Sequence, residues 1–106
     1  MATADEKPWG VDTASRVYGL QVTLLKRVYV LPWSQFLYAE GTGEEVQAYF
    51  TTHDVLVKGS GLDALLSDFA FQQVTALKEP ARTDKFTRVT GPAITEIAVQ
   101  KVEDEN

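Results

Sequence analysis

His53 is the only imidazole in the chain, and it stands beside Asp54 and behind Thr51 and Thr52. A carboxylate that orients an imidazole makes a general base, so His53 and Asp54 form a candidate polar site for a small enzyme. Successive residues of a strand point to opposite faces, so the two cooperate only where the chain turns between them. The plainer reading is a histidine at a strand end with Asp54 opening a turn. The other candidate metal ligands are scattered carboxylates without His-x-x-x-His, His-Glu-x-x-His or calcium-loop spacing, so no metal or other cofactor is expected. Ser34, Ser60 and Ser67 lack a Gly-x-Ser-x-Gly setting, and one histidine is available to activate any of them. No catalytic residue is assigned.

Phosphate recognition is the second chemistry to weigh. Lys78, Arg82, Lys85 and Arg88 are four of the ten basic residues and interleave with Phe86, a composition that grips phosphates and stacks a base on the ring. Glu79 and Asp84 dilute this loop, and its alternative is a solvated segment of mixed charge. Lys58-Gly59-Ser60-Gly61 has the glycines of a phosphate loop, but its lysine precedes them where the P-loop pattern places it after. Asp63 just beyond would repel an anion, so a tight turn feeding a helix is expected there.

Composition narrows the field. With 106 residues there is room for one core, and the 44% hydrophobic content supplies it. The absence of cysteine removes disulfides, thiolate catalysis and Cys-based zinc sites. A formal charge of −5 opposes non-specific attraction to nucleic acid. Residues 1–20 carry Asp5, Glu6 and Asp12 and no apolar run, so no signal peptide or membrane anchor is expected, and a cytoplasmic location follows by default. Residues 1–10 and 103–106 read as flexible tails of a single domain spanning 1–106.

Periodicity places the candidates on elements. From Tyr18 to Leu31 the alternation is that of one long strand, with Leu20, Val22, Leu24, Val28 and Val30 on one face and a bend or bulge at Lys26. Leu25, Tyr29, Leu31 and Leu37 fall on the opposite face, which is therefore also partly apolar. Asp12-Thr13 is placed to cap a short helical turn through Ser15 and Arg16. After a corner at Pro32-Trp33, Phe36–Glu40 and Val46–Phe50 make a hairpin around Gly41-Thr42-Gly43. Val55 and Val57 mark a further strand, broken at Gly59-Ser60-Gly61. Leu62, Leu65, Leu66 and Phe69 then sit at i, i+3, i+4 and i+7, predicting a helix over Leu62–Phe71 with Ser60 and Asp63 as a variant capping box. Strands around Val74–Lys78 and Ile94–Val99 complete the chain.

This order, a short N-terminal helical turn followed by long, bent, antiparallel strands over Val11–Lys78, resembles the Sm-like small β-barrel family. The resemblance implies a barrel, rings assembled through edge strands, and RNA binding. The family's Asp-x-x-x-Asn loop and its Arg-Gly step before a final strand are absent here, so no RNA-contacting residue is carried over from it.

The expectation is a mainly β fold, a small barrel or strongly bent antiparallel sheet of five to six strands with one short helix. One short helix cannot cover both faces of such a sheet, and leftover apolar surface marks a partner surface. A non-enzymatic, self-associating scaffold or binding module is the leading expectation. Its rivals are RNA or single-strand binding through Lys78, Arg82, Lys85, Phe86 and Arg88, and an enzyme built on His53 and Asp54.

Overall fold

The structure is a computed structural model that describes residues 8–81 and 92–102. It is mainly β, with eight strands and one helix among the described residues: β1 Gly10–Val11, β2 Gly19–Thr23, β3 Val28–Pro32, β4 Phe36–Gly41, β5 Glu45–Phe50, β6 His53–Ser60, α1 Asp63–Ala70, β7 Val74–Lys78 and β8 Ala93–Lys101. A single 3-10 turn, Trp33–Gln35, joins β3 to β4. The strands form two four-stranded sheets, ordered β1-β7-β2-β3 and β4-β5-β6-β8, that do not close into a barrel. The first is called sheet A below and the second sheet B.

The long strand expected over Tyr18–Leu31 is in fact a hairpin, which adds one strand; the short β1 adds another. Leu24 N–H donates to the Arg27 carbonyl across 2.7 Å, and β2 and β3 then pair antiparallel with Leu20 opposite Leu31 and Val22 opposite Tyr29. Because even-numbered residues of β2 face odd-numbered residues of β3, the turn exchanges the faces. Leu20, Val22 and Leu31 are buried together, whereas Val28 and Val30 project outward. Lys26, which breaks the alternation in the sequence, lies in the turn and is exposed.

The two sheets share one core. Leu20, Val22, Leu31, Val74 and Leu77 contribute from sheet A, and Val46, Ala48, Phe50, Val55, Val57 and Ile97 from sheet B. Each sheet thus covers the other's inner face, which the short helix could not have covered by itself. Trp33 sits at the corner between the sheets, with ring centroids 5.0 Å from Phe36, 5.7 Å from Phe50 and 5.6 Å from Phe69. Its indole N–H donates to the Val74 carbonyl across 3.0 Å, so the corner is tied to β7 as well as packed.

The helical stripe is where the periodicity placed it. Leu62, Leu65 and Phe69 are buried and Leu66 packs against the core from a half-buried position. Burial of side chains of this size stabilises the fold by about 1.5–3 kcal/mol each. The capping box is not formed: the N-cap is Leu62, with no side-chain capping bond, because β6 runs on through Ser60 and is paired with Ala93 there. The turn comes one residue later, at Gly61 with φ +64°, a conformation that favours glycine. Gly59 serves another purpose, since a Cβ at that position would lie 1.9 Å from the Ala93 carbonyl oxygen, where the β6–β8 register shifts.

At the N-terminal end, Trp9 is buried and Gly10 pairs with Ala76, so the fold begins inside the segment expected to be a tail. Asp12 Oδ1 does accept from the N–H groups of Ala14 and Ser15, at 2.9 and 3.0 Å, but the chain makes bends there and no helix follows. An Asx-type turn satisfies those donors without a helix to cap. Among the described residues no helix is long and apolar enough to cross a membrane.

Candidate functional site

The pairing registers place each candidate side chain on a sheet face. On β6, His53 is opposite Lys101 and Asp54 is opposite both Tyr49 and Gln100. The strand passes straight through the two residues, so His53 belongs to the inner side with Val55 and Val57, and Asp54 to the outer side with Leu56 and Lys58. The His53 ring lies 5.4 Å from that of Tyr29, and its Nδ1 is joined to the Thr52 hydroxyl by a 2.9 Å hydrogen bond. His53 and Asp54 are therefore held on opposite faces, where the carboxylate does not orient the imidazole.

Of the basic loop, Lys78 ends β7 and is exposed, while Arg82, Lys85, Phe86 and Arg88 lie outside the described residues. Lys78 borders a groove of about 520 Å³ whose other walls include Thr23, Leu24, Glu79 and Ile94.

What the fold presents outward is two unlike sheet faces. On sheet A the outward rows run Ala76–Gln21–Val30 and Lys78–Thr23–Val28 across β7, β2 and β3. Val28 is 54% exposed and Val30 68%, both on β3, which is an edge strand. The β2–β3 turn adds the exposed cations Lys26 and Arg27 at the end of this face, with Glu79 nearby accepting from Leu25 N–H at 3.3 Å.

On sheet B the outward rows run Tyr38–Tyr49–Asp54–Gln100, Glu40–Gln47–Leu56–Ala98 and Glu45–Lys58–Glu96. Tyr38 and Tyr49 stack with centroids 4.5 Å apart, and the Tyr49 hydroxyl donates to Glu40 Oε2 across 3.1 Å. Partial burial, the bond to Glu40 and the surrounding charge of Glu40, Tyr38 and Asp54 push the Tyr49 phenol up to about 12. An aromatic and aliphatic centre of Tyr38, Tyr49, Leu56 and Ala98 is thus rimmed by Glu40 and Asp54, while Lys58 is flanked across the strands by Glu45 and Glu96.

An apolar partner surface was expected on the first strands; the structure exposes apolar side chains there, though not the expected ones. Val28 and Val30 project because the hairpin exchanged the faces; Leu25 and Leu37 stay exposed, while Leu31 is buried. The sequence signal for this exchange was Lys26, whose interruption marks a turn. The stacking of Tyr38 on Tyr49 depends on the β4–β5 register, which shifts between Phe36 and Tyr38.

Set against family models, curated proteins and solved structures, the chain has no match in any of the three comparisons.

Proposed function

We propose that this domain is a self-associating β module that works as a scaffold or binding unit, joined to its neighbours through the outer face of sheet A. The observation that carries this reading is the outward projection of Val28 and Val30 from the open edge strand β3. An edge strand presents unpaired backbone donors and acceptors, and soluble proteins ordinarily guard it with charge or cover it. Here the turn supplies Lys26 and Arg27 and the far end carries Pro32, while the centre of the strand is left apolar. Burying what remains exposed of the two valines against a partner contributes roughly 2–3 kcal/mol before the costs of association.

Light scattering over a concentration series tests this directly. An assembled species at tens of micromolar is expected, on the order of what an interface of standard size sustains. Val30→Glu, which touches no buried contact, should weaken assembly at least tenfold while leaving the urea midpoint unchanged. A monomer throughout the range overturns the proposal.

A further inference from the structure

The two outer faces differ in charge in a complementary way. Sheet A shows a partly aliphatic surface with Lys78 in its outward rows and Lys26 and Arg27 at its end, with the Glu79 carboxylate close by. Sheet B shows an apolar centre with Glu40, Glu45, Asp54 and Glu96 around it, and Lys58 is the one cation in its outward rows among the described residues. Two copies that met through like faces would bring carboxylates against carboxylates or cations against cations. Unlike faces match apolar centre to apolar centre and cationic rim to acidic rim.

Resting on the self-association proposed above, we infer that assembly is head to tail: the outer face of sheet A in one copy packs on the outer face of sheet B in a second copy. Val28 and Val30 seat against the Tyr38, Tyr49 and Leu56 surface, and Lys26, Arg27 and Lys78 meet the Glu40 and Asp54 side. The contact is heterologous, so an open assembly keeps a free sheet A face at one end and a free sheet B face at the other. Such a contact propagates into a ring or an open fibre and does not stop at a two-fold dimer.

The test mixes two full-length variants, each blocked on one face. Val30→Glu places an unpaired carboxylate in the centre of the sheet A face, and Leu56→Glu does the same on sheet B; Ala98→Glu, on the exposed edge strand β8, is the second sheet B variant should Leu56→Glu unfold. The wild type should grow beyond a dimer with concentration. Each variant alone should run as a monomer where the wild type is assembled. Their equimolar mixture should form a one-to-one heterodimer and nothing larger, because only one unblocked pair of faces remains.

A wild-type monomer overturns self-association itself. A wild type that assembles while folded Leu56→Glu and Ala98→Glu proteins assemble equally well leaves self-association standing and overturns the head-to-tail arrangement. A fixed wild-type dimer, or a mixture that stays monomeric, overturns that arrangement in the same way.

Discussion

The indole N–H of Trp9 donates to Asp68 Oδ2 across 2.8 Å in a buried setting, tying the segment ahead of β1 to the inner side of α1. Fifty-nine positions separate the two residues in sequence. Truncating Asp68 to alanine leaves a buried N–H without its acceptor, a loss of about 1–3 kcal/mol. Urea unfolding of Asp68→Ala should show that loss in the midpoint, and a change below about 0.5 kcal/mol would mean the bond matters little.

The end of α1 offers a gain. Gln72 adopts φ 54°, left-handed for a side chain that ordinarily avoids it, while its N–H donates to the Phe69 carbonyl across 2.9 Å. Glycine fits this position after a helix without strain, and Gln72 is exposed, so little packing is lost. Gln72→Gly should raise stability by roughly 0.5–1 kcal/mol in thermal or urea unfolding, and Gln72→Val should lower it. Equal midpoints for the three proteins would refute the strain.

Tyr49 sets an alkaline limit. Its folded phenol is raised from 10.0 to about 12 by partial burial first, then by the bond to Glu40 and the neighbouring charges. The folded chain therefore holds this proton more tightly than the unfolded chain does. Its contribution to stability is complete below pH 10 and is lost as the pH rises toward 12. Titration of tyrosine ring carbons by NMR should find the Tyr49 phenol titrating well above 10, and Glu40→Gln should bring it down toward the ordinary value. An unchanged titration in Glu40→Gln would show that the Glu40 charge has no part in it.

Assembly through charged rims should respond to salt. The screening length falls from about 10 Å at 0.1 M to about 3 Å at 1 M, which would weaken attraction between the proposed cationic and acidic rims of neighbouring copies. Sedimentation should show smaller assemblies as sodium chloride rises through this range. Assemblies that grow with salt would identify a contact that is apolar throughout.

Much of the architecture could be read from the residues. The stripe Leu62, Leu65, Leu66 and Phe69 gave the helix to within a residue at each end, and Gly41-Thr42-Gly43 gave the β4–β5 hairpin. The β2–β3 turn was hidden because Leu24-Leu25-Lys26-Arg27 contains none of the Gly, Asn or Asp that normally announce a hairpin. Alternation continued on either side of it with the phase reversed, which is invisible until the pairing is known. The sheet faces depend on that pairing, so a partner surface could be anticipated from apolar excess while its membership could not. Whether His53 and Asp54 cooperate likewise turned on strand continuity: β6 begins at His53 and stays straight through the pair.

Sheet A is completed by a parallel pairing, Gln21 with Ala76 and Thr23 with Lys78, between strands separated in sequence by β3 to β6 and α1. Contacts of such long sequence separation require a large loop to close before they stabilise anything, and they form slowly. During synthesis the β2–β3 hairpin must wait, with one flank of β2 unpaired, until β7 has been made. For that interval β2, an interior strand of the finished sheet, is itself an open edge, and the nascent chain is most exposed to aggregation before β7 is added.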